Sequence, residues 1–517
     1  MTAQRPVSDV FGGRTGDHRE EAGWWPLVAI VTAVSMLMMS ATIVTVALPD
    51  IQRDLKANLT DLQWVVNSFT LAMAVFQLTA GSLGDRVGRR RMFLIGVAAF
   101  GLASLACAVS TTPGMLIWSR AVQGLAGAVM FATTLALVAQ IYHGQMRGLA
   151  FGVRGAAAGV AVALGPLLGG ALVAGIDWRW VFYINIPFAA VTLVIAWVKL
   201  PRHEELRKGK SLDAGGLLTL TASLMLLMVA LLRGEDWGWS SDRVIAMFAG
   251  AAVFMAVFLI IEWVHREPML DLSLFRSRSF SGTQLATVAT HGSFFALLLY
   301  LSLYFQNQLG YSAFKTGLCF LAVNIPILLS GPAAGAFMDR LPAWVLPTLG
   351  LVLVGTGLVV MHGLTLDSSW THLAPGMVIA GFGLGMALPA IGSLSMEVAD
   401  GPRLGMAAGV NNTVSQTAMA MGIAVYGAIL GRQVTDTMSD DLAGRHLPIH
   451  DIAGAASAGQ IKAVAAHLPA ALRKPVIDAA EHGIVNGLNL LFFVVAAVAF
   501  VGAVLAVLLI RTPEHRG

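Results

Sequence analysis

Gly81-Ser-Leu-Gly-Asp85-Arg-Val-Gly88-Arg-Arg-Arg91 carries five charges within seven residues, between an apolar run ending near Leu83 and another beginning at Met92. Charge at that density does not lie in hydrocarbon. The stretch therefore reads as a tight turn at one face of a bilayer, with helices rising on both sides. Its four arginines place that face in the cytoplasm. Gly81, Gly84 and Gly88 permit close backbone approach at the corner. Asp85 falls near the start of the next helix, where a negative charge suits the positive dipole end and the surrounding arginines. A bare topology signal needs the arginines, but neither the glycine spacing nor the single acid.

Working outward, the 517 residues are 56% apolar and 12% charged, with a mean hydropathy of +0.74. A soluble domain carries roughly 25% charge, so the composition specifies an all-α polytopic membrane protein. The net charge of +4 resides in short loops, as orientation signals do, and gives no reason to expect a nucleic-acid partner. Cys107 and Cys319 both fall inside apolar runs, too few for a disulfide framework. Residues 1–23 are polar and of mixed charge, and the run after them is long enough to span uncleaved, so no cleavable signal is expected. There is no catalytic triad, metal cluster or GxxxxGK[ST] loop. Neither an enzyme, nor a metal or cofactor, nor direct ATP drive is expected.

A spanning helix needs about 20 mostly apolar residues. Fourteen runs qualify, at 26–48, 61–83, 92–110, 114–137, 150–175, 180–199, 213–233, 243–264, 280–305, 315–337, 344–363, 371–395, 405–431 and 484–510. An even number puts both termini on one side. About 20 Lys and Arg then fall on that side and about 11 on the other, roughly five of them in a long 432–483 loop that the charge rule discounts. Both termini are expected in the cytoplasm. A faded repeat is visible as well. Ala334-Gly-Ala-Phe-Met-Asp339-Arg340 echoes Ala80-Gly-Ser-Leu-Gly-Asp85-Arg86, each at the end of a run. Such a repeat points to two halves related by an axis along the membrane normal.

Gly81-Ser-Leu-Gly-Asp85-Arg86-Val-Gly88-Arg89-Arg90 resembles the loop signature of the major facilitator superfamily, G-x-L-x-D-R-x-G-R-R, which acts there as a gating latch. The resemblance extends along the chain. In the fifth run, Gly155, Gly159, Gly165, Pro166, Gly169 and Gly170 fall in a string similar to the family's antiporter signature, associated with export. Residues alone say only that this helix is tightly packed and bendable. Asp177 to Pro187, DWRWVFYINIP, resembles the segment after the fifth helix in the fourteen-helix drug:proton antiporter branch. Its two tryptophans flanking Arg179 read as an interface anchor, as does Trp64 at the start of the second run. The resemblance implies a major facilitator fold with 14 transmembrane helices: two six-helix bundles plus two extra central helices. The expected organisation is a cytoplasmic tail at 1–25, a bundle at 26–200, linkers with the extra helices at 201–279, and a second bundle at 280–511. The basic stretch 202–210 is expected as a cytoplasmic linker, and Phe275 and Phe280 as an interfacial segment. In the 432–483 loop, the second half reads as short amphipathic helices.

The family implies a proton-coupled exporter of drugs, antibiotics or related amphipathic molecules. Its partners would be a small-molecule substrate, protons and lipid, and it would act as a monomer in a bacterial inner membrane. Either a metabolite importer of the same fold or a non-transporting membrane scaffold is a rival. Intramembrane polar residues are the candidates for its chemistry. Arg120 and Arg154 are buried-charge candidates, although Arg154 is expected to snorkel to the cytoplasmic face. His291 can titrate near neutral pH. Ser40, Thr42, Gln123, Asn324, Asn412, Ser415 and Gln416 are candidate cavity-lining residues; the last three share a face that either lines the cavity or bonds neighbouring helices. The chain departs from the antiporter pattern at one place. An Asp typical of the first helix is replaced by Ser40, and Leu321–Leu329 in the tenth run is polar only at Asn324. The proton carrier is thus unassigned. Other carboxylates, Asp85 and Glu397, fall at cytoplasmic helix ends. If Arg120 and Arg154 both face the cavity without acids, the field favours neutral or anionic cargo.

Overall fold

The computed structural model describes residues 23–511 apart from 143, 202–212, 266, 267, 269, 339, 398–403, 444, 446, 458–460 and 467. The 202–210 linker and Asp339 therefore lie outside the described residues, as do the side chains of Gly81, Asp85, Arg86 and Glu397. Among the described residues every regular element is helical. In chain order they are α1 (Trp24–Leu55), α2 (Leu59–Val87), α3 (Arg89–Ala108), α4 (Pro113–Ile141), α5 (Gly144–Gly175), α6 (Trp180–Tyr183) and α7 (Asn185–Lys199). Then come α8 (Ala214–Trp237), α9 (Asp242–Val264), α10 (Arg278–Thr290), α11 (Ala296–Leu303), α12 (Ala313–Phe337), α13 (Val345–Met361) and α14 (Trp370–Glu397). The chain ends in α15 (Leu404–Asp441), α16 (Ile449–Ser457), α17 (Ile461–Ala466) and α18 (Ala470–Leu509).

All fourteen apolar runs are helical. Among the described residues eleven helices are long and apolar enough to cross a membrane. The bent α5 makes a twelfth span, turning by 42° between Val153–Val162 and Leu164–Gly175. α2 and the 17-residue α13 are the remaining two runs. Local chemistry sets the helix starts. Asn58 and Asp61 form a reciprocal capping box at α2, and Thr112 caps α4 ahead of Pro113. Ser241, Ser277 and Ser312 cap α9, α10 and α12.

α1 packs on α5 and α7, α2 on α4, and α3 on α4 and α7 around a core that includes Leu37, Phe69, Phe93 and Phe100. Likewise α12 packs on α14, α13 on α14 and α18, and α10 on α18. These two groups meet along α2–α15 and α5–α12. The α8–α9 pair lies against the edge of that seam, with Leu220, Leu224 and Met228 on Leu71, Val75 and Ala420.

Several expectations need correction. Phe280 is buried and packs edge-on against Phe275, so it is not laid along the membrane surface. Trp178 is buried too. Its indole donates to Asp54, which also pairs with Arg179 at 2.8 Å, stapling the end of α1 to the α5–α6 turn. Trp180 is the exposed member of that pair. Trp64 packs against the α8 cluster. The 432–483 stretch is largely helix, because α15 continues to Asp441 and α18 starts at Ala470. Apolar content marks where lipid stops, and the helix runs on beyond it.

Candidate central pathway

α10 and α11 are joined through a π-turn at His291–Phe295, and a second follows at Tyr304–Gln308. Such turns shift side-chain register and are frequent at functional sites. The first turn sets Phe294 and Phe295 against Thr42 of α1, Pro166 of α5 and Asn324 of α12, which together line a small pocket between the two helix groups. The described residues lining it carry no charge. Of the candidate cavity residues, Thr42 and Asn324 are at this pocket. His291 is one turn away on the face of α10 that also carries Val288 and Leu285. It is half-buried, stacked on Phe295 with ring centroids 5.3 Å apart, and its Nδ1 lies 3.2 Å from the Thr287 carbonyl.

The glycines of α5 divide into two sets. A methyl group added at Gly165 would collide with the Thr42 hydroxyl, and one at Gly169 would come within 2.7 Å of Val46 Cγ2. At Gly170 it would lie 2.8 Å from Phe314 Cα, so α5 and α12 are in backbone contact there. Gly317 reciprocates against Leu167 at 3.0 Å. Gly155 and Gly159, by contrast, have open space where a side chain would go, as do Gly335 at the other end of α12 and Gly175 at the last position of α5, beyond the Gly170 contact. The α5–α12 seam is thus sealed at the end remote from the chain termini and open at the end nearer to them.

Further contacts close the sealed end. Gln63 of α2 donates to the Tyr300 hydroxyl at 2.9 Å, and Tyr300 donates to the Ile423 carbonyl. Gly427 has no room for a side chain because Gln63 and Tyr300 press on it. Ser302 donates to Thr45 O at 2.7 Å, and Gln306 to Val46 O at 2.9 Å. Tyr426 donates to Gly292 O inside the π-turn. None of these glutamine and tyrosine partners is legible from sequence, although each is a polar group inside an apolar run.

Other candidates fall elsewhere. Arg120 is fully buried in the first helix group, its Nε donating to Val65 O at 3.1 Å and its Nη1 to Gln123 Oε1 at 2.7 Å, beneath the Phe69 ring. Gln123 donates in turn to Ser104 at 2.7 Å and Ser40 at 3.3 Å, and Asn185 also reaches Ser40. Ser40 and Gln123 therefore belong to a polar hub, not to the pocket wall, because Arg120 draws acceptors inward. Arg154 does not snorkel. It is 7% exposed, donates to Thr134 and lies over the Phe131 ring at 4.8 Å. Asn412 bonds Gln77, Thr413 donates to Ala74 O and Gln416 reaches the Met73 sulfur, so this patch zips α15 to α2. Ser415 turns back to the Asn412 carbonyl.

At the charged corner, Gly88 adopts φ +105°, which a side chain would strain. Arg89 donates to Ala136 O near the end of α4, and Arg90 to Trp197 O near the end of α7. Cations at helix C-termini complement the dipole, so these arginines tie three helix ends together. Among the described residues no group of His, Cys, Asp and Glu is placed to hold a metal ion.

The family model described as Major Facilitator Superfamily matches residues 28–423. A tetracenomycin C resistance and export protein of Streptomyces glaucescens is 32% identical over 490 residues, covering 93% of this chain and 91% of that protein. The puromycin resistance protein pur8 of Streptomyces alboniger is 33% identical, covering 78% of this chain and 81% of its own length. Among solved structures, a bacterial homologue of the human lysosomal transporter Spinster, in an inward-facing and unoccupied conformation, aligns with a TM-score of 0.61. It shares 15% identity and covers 95% of this chain and 98% of that one.

Proposed function

The chain belongs to the Major Facilitator Superfamily, and on that premise we propose that it exports drugs, antibiotics or related amphipathic molecules by alternating access, driven by proton entry. One observation carries the mechanism: the α5–α12 seam is in backbone contact at Gly170 and open at Gly155 and Gly159. A helix pair closed at one end and open at the other is what alternating access requires of each end state. Residues 26–200 and 280–511 are read as the two rocking bodies, and α8–α9 as a pair carried at their edge. The basic bias of the segments on the termini side places that side in the cytoplasm of a bacterial inner membrane. The structure then corresponds to a cytoplasm-open state. Export is favoured by relatives named for resistance and export.

His291 is assigned as the proton-responsive group. It is a titratable side chain stacked on Phe295, which lines the pocket, and its Nδ1 meets the Thr287 carbonyl. The described lining of the pocket, with no carboxylate to pair a cation, favours neutral or anionic cargo over lipophilic cations.

The test is a susceptibility panel in an efflux-deficient bacterial host, with and without a protonophore, followed by counterflow in proteoliposomes under an imposed pH gradient. Expression should raise the inhibitory concentration of lipophilic antibiotics, and the protonophore should erase the gain. Solute movement that is indifferent to the pH gradient would instead identify a facilitator. Gradient-driven movement in the same direction as the protons would identify a symporter.

A further inference from the structure

Beside the sealed end is a cleft of about 550 Å³ where α2, α8, α15 and α16 converge. We propose that this outer cleft is a second ligand site, taken by flat, mostly apolar compounds with one polar edge as they leave the central pathway. The direction of travel rests on the exporter reading; the site itself does not. Its volume falls in the range of roughly 300–1,000 Å³ that holds drug-sized ligands.

The walls define the occupant. Ala424, Gly427, Ala428 and Gly431 lie at helical spacing on one face of α15, and Gly454 and Ala455 of α16 line the same space. Small residues at that spacing ordinarily let two helices close together. Gly427 is taken up by Gln63 and Tyr300, but Ala424, Ala428, Gly431, Gly454 and Ala455 border a cavity, and walls with so little side chain leave room for a broad, rigid ring compound. Leu231 and Leu232 at the end of α8 give one edge an apolar border. Asn58, Thr60, His450 and Asp451 give the opposite character, with both donors and acceptors. The cleft is also wired to the gate. Gln63 lines it and donates to Tyr300 across the sealed seam at 2.9 Å. A compound lodged there touches the side chain that must release before the outer end opens or after it recloses.

The chain offers a clean probe. Cys107 and Cys319 are buried, and Gly454 has open space where a side chain would go. The full chain carrying Gly454→Cys, reconstituted in nanodiscs, is reacted with a polar maleimide in the presence of uncharged 1,4-dihydroxyanthraquinone. The dye should slow modification several-fold, while a cysteine at exposed Asp478 of α18 (Asp478→Cys) reacts at an unchanged rate. Equal slowing at both positions, or none at Gly454→Cys, overturns the proposal. As a second measure, Gly454→Trp fills the cleft from a position with no neighbouring atoms to displace. Equilibrium dialysis should then show one fewer dye bound per chain, and an unchanged stoichiometry overturns the proposal. If protection holds but the protein moves no compound against a gradient, the exporter reading fails and the cleft stands.

Discussion

Replacing Tyr300 by Phe removes one oxygen atom from the centre of the sealed end. In the described state that oxygen accepts from Gln63 Nε2 at 2.9 Å, across the seam, and donates to Ile423 O within its own helix group. Gln63 is 4% exposed, so its amide would lose its partner and keep only a narrow contact with the outer cleft. A net hydrogen bond contributes about 1 kcal/mol, and a stranded buried donor costs about 1–3 kcal/mol. Once the outer end opens, the amide meets solvent and the penalty disappears. The substitution therefore disfavours the outer-closed state selectively, by about 1–3 kcal/mol, which moves the conformational equilibrium by roughly 5- to 150-fold. The assay is a double electron–electron resonance distance between spin labels on Arg53→Cys and Asp367→Cys, both exposed at the sealed end and one on each helix group. The buried native cysteines should remain unlabelled. Tyr300→Phe should transfer population to longer distances. An unchanged distribution in protein that remains folded would refute the assignment of this hydrogen bond to the outer gate.

Four further outcomes are expected. Gly170→Leu should force α5 from α12, because even its first side-chain carbon would lie 2.8 Å from Phe314 Cα; the same spin-label pair should report an opened outer end. Gly159→Leu should leave that distance unchanged but block transport, since its side chain has room only while the termini-side end is open. His291→Gln should abolish concentrative export while leaving energy-independent exchange, measured by counterflow at equal pH; persistent proton-driven export would remove His291 from the coupling role. Arg179→Ala loses the Asp54 pair, the Ser110 carbonyl and the Trp178 ring at 4.4 Å, and should lower unfolding stability in detergent by about 1–2 kcal/mol without changing substrate range.

The helical runs and the charged corner were legible because each expresses a single-helix rule: enough apolar length, or too much charge for lipid. Where expectations failed, the deciding interaction lay between helices. Arg154 has the reach to snorkel, yet Thr134 and Phe131 offer it a bond and a ring inside the protein. Asn412 and Gln416 have a spacing that suits either a cavity face or bonds to a neighbouring helix, and Gln77 and Met73 of α2, standing opposite, give the second. The glycine string of α5 reads as one stripe in sequence. Only the neighbours reveal that Gly165, Gly169 and Gly170 are packed while Gly155 and Gly159 are not. The π-turns left no periodic signal, since an extra residue per turn displaces a pattern without erasing it.

The hub around Arg120 connects the missing acid to the choice of cargo. A guanidinium with 0% exposure ordinarily needs a nearby carboxylate, because leaving a buried charge uncompensated costs several kcal/mol. Here its bonded acceptors are a carbonyl and the Gln123 amide, and Gln123 is held by Ser104 and by Ser40, the residue standing where the antiporter pattern has an acid. The charge is solvated by dipoles and by the Phe69 ring face at 4.2 Å, not neutralised. Dipoles stabilise a cation without cancelling its field at a distance. On the proposed proton-driven reading the Arg120 charge stays constant through the cycle, whereas an acid in the place of Ser40 would change charge each time a proton bound. Coupling is then assigned to a group elsewhere, the role proposed for the half-buried His291. On the same reading an uncompensated guanidinium works against a lipophilic cation, and Ser40 is the residue that links the proposed cargo preference to the proposed coupling at the α10 π-turn.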